Sequence, residues 1–150
     1  MSNPSQTVVT SNDNSGILNR ISPNKIFIWD NRYFQAEYNN DTYDPIMLSA
    51  GTLMGRISAT QKVIPLASGA SDGSQYPVGI LAEDTTIADG ETANLVLCNF
   101  GTVVENNVIL DGSDTMDTVI SGKSIRDRIA SDTIGIKLQE GTENTGYDNQ

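Results

Sequence analysis

The chain contains no histidine and a single cysteine, Cys98. The first absence removes Ser-His-Asp triads, Cys-His nucleophiles and imidazole-bearing zinc sites together, because each needs an imidazole as base or ligand. A lone cysteine has no intrachain disulfide partner. Cys98 sits in the apolar run Leu95-Val96-Leu97-Cys98, which reads as a buried, inert thiol in a chain made in a reducing cytoplasm. Basic residues are also scarce: nine Lys and Arg stand against nineteen Asp and Glu, a formal net charge of −10. A surface of that sign repels phosphate backbones, so no nucleic-acid partner is expected. No stretch approaches the roughly 18 apolar residues of a membrane span, and residues 1–16 are polar without a signal-like apolar segment, so neither membrane insertion nor export by that route is expected.

Other chemistries fail on spacing. Neither G-x-x-x-x-G-K-[ST] nor G-x-G-x-x-G occurs, so no phosphate-cradling loop is predicted. Glu83, Asp84 and Asp89 are the nearest candidates for paired-acid hydrolysis. A glycosidase holds two carboxylates about 5–10 Å apart across a cleft, whereas adjacent strand residues point to opposite faces. Asp72-Gly73 and Asp111-Gly112-Ser113-Asp114 lack the spacing of a calcium loop and read as turns. The expectation is a non-enzymatic chain without cofactor or metal.

What is present is a charge asymmetry and a β pattern. Residues 1–40 hold three basic and three acidic side chains, while residues 41–150 hold six and sixteen. A neutral leading part thus precedes an acidic body, and the leading part is the better candidate for docking on a partner. Residues 1–16 are rich in Asn, Ser, Thr and Gln and cannot offset their ordering entropy alone. Thr7, Val8, Val9 and Thr10 nevertheless favour a strand, suited to pairing with an exposed sheet edge. Ile17, Leu18 and Ile21 fall at one-turn spacing before Pro23.

Ile26 to Trp29 and Tyr33 to Tyr38 read as two strands, and Phe27, Trp29, Tyr33, Phe34, Tyr38 and Tyr43 concentrate the aromatics there. Such a cluster serves as core or as an interface anchor; a carbohydrate-binding or adhesion module is the alternative it raises. From residue 46 onward, short strands alternate with Gly, Pro, Asp and Asn turns. Candidates cover 46–48, 52–57, 62–66, 77–82, 93–100, 102–104, 108–110, 118–120 and 133–138, a density that indicates an all-β sandwich or barrel. Gly51 and Gly55 mark bends or close backbone approach. Ser124 followed by Asp127, with Ile125 and Ile129 one turn apart, predicts a helix of about two turns. Ile134, Ile136 and Leu138 alternate as a closing strand.

Leu48-Ser49-Ala50-Gly51-Thr52-Leu53-Met54-Gly55, then Asp72-Gly73-Ser74-Gln75 followed by Pro77-Val78-Gly79-Ile80-Leu81, resemble the head decoration proteins of tailed bacteriophages, the family of the lambda decoration protein. Gly101-Thr102-Val103-Val104 and Ser124 to Leu138 are similar to its later elements, so the resemblance covers roughly residues 34–138. It implies a small β-rich body (β-tulip or barrel-like) with one short C-terminal helix and an extended N-terminal arm. It further implies a homotrimer bound to the major capsid protein at threefold or quasi-threefold sites, a structural virion protein cementing the outer capsid surface and made in the host cytoplasm. The expected organisation is a flexible capsid-binding arm over 1–25, a decoration domain over 26–138 and a polar tail over 139–150. Thr7, Val8, Val9, Thr10, Ile17, Leu18, Ile21 and Trp29 are the expected capsid contacts.

Overall fold

A computed structural model describes residues 26–140. Ten strands and one α-helix follow one another there: β1 (Phe27–Asn39), β2 (Ile46–Leu48), β3 (Leu53–Arg56), β4 (Val63–Pro65), β5 (Pro77–Leu81), β6 (Thr85–Ile87), β7 (Thr92–Val104), β8 (Val119–Ile120), β9 (Lys123–Ser124), α1 (Ile125–Asp132) and β10 (Gly135–Gln139). The chain is mainly β with one short helix near its C-terminal end, as its turn density and alternation predict.

β7 organises the sheet. It is thirteen residues long and pairs antiparallel with β1 along one edge, from Thr92 to Val103. Its other edge takes β5 at Leu97 and Cys98 and then β10, in parallel, from Phe100 to Val104. β3 continues the sheet beyond β5, and β4 closes that side. Two small ribbons, β2 with β6 and β8 with β9, complete the pairing among the described residues.

Alternation along these strands feeds two cores. Leu53, Ile80, Cys98 and Val103 lie in one, closed by Ile125 and Ile129 of α1 and by Ile136. Met54, Leu81, Leu95 and Leu97 lie in the other, with Ala36, Val63 and Ile87. Neighbours such as Leu53 and Met54, or Ile80 and Leu81, therefore serve opposite faces, which is the period-two rule of a strand covered on both sides. The helix starts as predicted: the Ser124 side chain accepts from the Asp127 N–H, meeting one of the donors that a first turn leaves open. Arg128 then donates to the Ile120 and Ser121 carbonyls and lies 4.8 Å from the Tyr76 ring centre, tying α1 to the β8–β9 ribbon.

The Asp72-Gly73-Ser74-Gln75 stretch is a side-chain-braced turn. Asp72 accepts from both the backbone N–H and the hydroxyl of Ser74, which holds its carboxyl below the usual range. The turn sits against Gly55, where a Cβ would stand 2.0 Å from the Ser74 carbonyl oxygen.

Four sequence expectations change. The candidates 93–100 and 102–104 are one strand, β7, which runs unbroken through Gly101. The two strands around Ile26–Trp29 and Tyr33–Tyr38 are one strand, β1, interrupted by bulges. Residues 108–110 form no strand; Ile109 makes only an isolated bridge to Thr52, because the preceding single turn Glu105–Asn107 redirects the chain. Ile134 lies before β10 and is 75% exposed.

Gly55→Ala should destabilise the protein by about 1–3 kcal/mol, since the obstructing atom is backbone and cannot swing away. Gly69, where an added Cβ would meet nothing within 4 Å, should accept alanine within about 0.5 kcal/mol. Urea melts of the two variants check the contrast.

Candidate docking surface

β1 and β7 do not pair evenly near the start of β1. Trp29 faces Thr102 and Arg32 faces Phe100, so three steps on β1 match two on β7; from there to Tyr33 and Cys98, one step on β1 matches two on β7. Each mismatch is a bulge, and a bulge shifts the alternation of faces by one residue. Cys98 and Val103 thus both reach the same core, although strict alternation would separate them. Phe100 and Thr102, displaced to the other face, line an outer notch with Trp29 and Lys137.

The bulged backbone is strained and pinned. Asp30 has a φ of 51°, uncommon for a residue with a side chain. Gly101 has a φ of 113°, and a Cβ on it would stand 2.7 Å from the Asn31 Cα and the Trp29 carbonyl oxygen. Asn31 fastens the bulge: its Nδ2 donates to the Thr102 carbonyl at 3.1 Å and towards the Cys98 Sγ at 3.6 Å. The thiol in turn donates to the Phe100 carbonyl at 3.3 Å. Burial pushes the Cys98 thiol above its ordinary pKa, outweighing these hydrogen bonds, so it is a poor nucleophile, in line with its apolar sequence context.

Trp29 is presented outward, 74% exposed. Arg32 lies over the Phe100 ring at 4.6 Å, and Phe100 packs against the bare backbone of Gly135. Pairing puts Trp29, Thr102 and Lys137 in one row across three strands. They border a concavity of about 150 Å³ whose floor includes Gly101 and Gly135. Arg32 approaches Asp30 only at 3.8 Å with both largely in solvent, and Lys137 makes no ion pair among the described residues. The other cations of the body are engaged: Arg126 by Glu105 and Asp117, Arg128 by Asp132, Lys62 by Glu37, and Arg56 against the Phe34 ring. Lys123 is the exception, exposed in β9.

The aromatic cluster divides between the two roles expected of it. Phe27 and Tyr38 are buried, Phe34 packs on the second core, and Trp29, Tyr33 and Tyr43 are exposed. Tyr43, 93% exposed, tops a loop braced by Asn40, which donates to the Asp44, Ile87 and Ala88 carbonyls. Of the expected capsid contacts only Trp29 falls in this surface; Thr7, Val8, Val9, Thr10, Ile17, Leu18 and Ile21 lie outside the described residues. Arg32, Phe100 and Lys137 were not singled out from the sequence. The usable signal was Gly101, which splits an otherwise continuous apolar strand. Of the carboxylates weighed for hydrolysis, Asp84 accepts from the Ala50 N–H at 2.8 Å and so secures the loop between β5 and β6. Among the described residues no group of three or more Cys, Asp or Glu side chains is arranged to hold a metal ion.

The sequence matches the family described as Bacteriophage lambda head decoration protein D over residues 35–121, more than half of the chain. No curated protein matches it. The matched stretch includes β2 to β7 and the Asp72-Gly73-Ser74-Gln75 turn; the bulged part of β1 and all of β10 fall outside it.

Asn31→Ala removes the clasp and leaves the Thr102 carbonyl short of a donor, a loss of about 1–3 kcal/mol. A thiol reagent should reach Cys98 in wild-type protein only through unfolding, and faster in the variant. The sign with pH follows from the raised thiol pKa: the stability that the neutral thiol contributes is present below the ordinary thiol value and is lost as pH rises through the folded-state value. Denaturant melts and labelling rates measured from pH 7 upward check both.

Proposed function

The chain belongs to the bacteriophage lambda head decoration protein D family, and we propose that it decorates and cements the outer surface of a phage capsid as a homotrimer, catalysing no reaction. Family membership supports a structural role on the phage head. The match over residues 35–121 carries the reading. The trimer, the cementing role and the arm are this reading's own extension.

In it, residues 1–25 attach the body to the major capsid protein through Thr7 to Thr10 and Ile17, Leu18 and Ile21. Two features of the body support that arrangement. The chain enters at Ile26, which is buried and whose carbonyl accepts from the Val104 N–H at 2.8 Å, so a load on the arm passes directly into β7. The acidic excess falls on residues 41–150, which gives the body a self-repelling surface that favours solubility and leaves the neutral leading part as the better docking element. Three arms on one trimer make the second and third attachments intramolecular and raise avidity by ~10²–10⁴ over a single arm. Bridged shell subunits then resist outward pressure from packaged DNA.

The exposed Trp29 also motivates a sugar-binding reading. The concavity beside it is about 150 Å³, below the roughly 300–1,000 Å³ of small-molecule pockets, which favours a protein partner.

Deleting residues 2–20 should abolish binding to undecorated shells while the truncated protein still scatters light as three times its own reduced mass, as the wild-type protein does at three times 16.1 kDa. Undiminished shell binding by the truncated protein would remove the arm from the mechanism. A monomer mass for the wild-type protein would remove the trimer.

A further inference from the structure

We propose that the notch beside Trp29 is a second contact with the capsid, receiving an acidic side chain carried on an apolar segment of the shell protein; this rests on the capsid-surface reading above.

Three observations select that occupant. Trp29 is the only tryptophan in the chain and stands largely in water, on a backbone whose bulges, left-handed Asp30 and Asn31 clasp hold it there. Bulges of this kind re-aim side chains at working surfaces, and a large exposed aromatic adds little to folding until a partner covers it. The notch escapes the acidic excess of the body. Lys137 and Asp30 both line it; Lys137 is free of ion pairs among the described residues, and Arg32 alongside is only loosely paired with Asp30, in a chain of net charge −10. Two cations against one carboxylate at the edge of an acidic protein fit a carboxylate-bearing partner. Position gives the third argument. Ile26 is held to Val104, two residues from the Thr102 that pairs with Trp29, so the 25 residues that precede Ile26 leave the body beside the notch. The expected arm contact nearest the body, Ile21, is five residues from Ile26, a reach of at most about 18 Å, so a shell surface held at Ile21 lies within that reach of the chain's entry beside the notch.

Gly101 and Gly135 line the notch, but the space their missing side chains leave is taken by the Asn31 backbone and the Phe100 ring; the room for a partner's side chain lies between the indole and the Lys137 ammonium. The notch holds one side chain rather than a strand or a small-molecule ligand, given its volume of about 150 Å³.

The test uses the full-length protein and undecorated, expanded shells of the phage that encodes it, with Trp29 as reporter. Acrylamide should quench Trp29 readily in the free protein and several-fold less once shells are added. Lys137→Glu and Trp29→Ala, both with the arm intact, should each weaken shell binding about tenfold or more. Lys123→Glu, the same charge reversal on the exposed lysine of β9, should bind as wild type. Added NaCl should weaken wild-type binding, and Lys137→Glu should flatten that dependence. Wild-type affinity in Lys137→Glu and Trp29→Ala, with Trp29 still quenchable on the shell, overturns the notch contact and leaves the decoration role standing. Absence of wild-type binding to shells overturns both. Protection of Trp29 already present in the free protein, and lost on deleting residues 2–20, assigns the notch to the chain's own arm and overturns the shell contact. Protection lost on dilution of the free protein assigns it to a second copy and does the same.

Discussion

Every strand of the large sheet depends on β7 having both of its edges paired. A strand buried between partners cannot leave N–H or C=O groups unpaired without a cost of about 1–3 kcal/mol each, so its neighbours are fixed in register by its ladder. β1 lies along one edge, β5 and β10 share the other, and both cores hang from its alternating side chains. This is why the entry of the chain at Ile26, the closing strand and the helix are positioned relative to one another through a single thirteen-residue segment. The slip within β7 is kept: Cys98 and Val103, five residues apart, both serve the first core because the bulges shift the alternation between them, which turns Phe100 and Thr102 outward.

The family's vocabulary of Gly-Thr, Asp-Gly-Ser-Gln and Gly-Ile-Leu reads, in this fold, as a packing device. The strand β3 must pass the turn at residues 72–75 at backbone distance, and only a residue without a Cβ permits it at position 55. Asp72 stabilises the turn from within through Ser74, and Ser74 itself is fully buried. Strand and turn residues that are individually common thereby become specific in their order, since each glycine answers a backbone elsewhere in the chain. That is the physical content behind a resemblance first visible only as spacing.

Much of the architecture was legible for the same reason. Ser124, Asp127, Ile125 and Ile129 specify a capped, one-sided helix locally, and the helix forms where they place it. Short runs such as Val63–Pro65 and Pro77–Leu81 are bounded by turn residues and appear as strands. What could not be read locally depends on pairing. Ile134 looks like the first beat of an alternating strand, yet β10 starts one residue later, where its register against Phe100 begins, and Ile134 is left outside. Residues 108–110 have the composition of a strand but find a partner at one position only. The bulges of β1 are the clearest case: nothing in Asp30-Asn31-Arg32 announces that three residues will oppose two. The surface they create, with Arg32, Phe100 and Lys137 drawn from three strands, was therefore invisible in the sequence, and Trp29 was expected as a capsid contact without any sign of the residues that would stand beside it.

The division between matched and unmatched residues bears on how such a protein is built. The family match spans residues 35–121, the part whose glycines and turns fix the cores. The outer surface around Trp29 takes its first strand and its last from beyond both ends of that span and borrows only Phe100, Gly101 and Thr102 from within it. A scaffold that must keep its own fold while adapting to a particular shell gains from this separation. Substitutions at Trp29, Arg32 or Lys137 alter exposed side chains and leave both cores untouched, whereas a change at Gly55 or Leu97 disturbs packing without touching the outer face. Under the notch contact proposed above, fold and partner preference are carried by different residues of the same sheet, joined only through the bulged middle of β7.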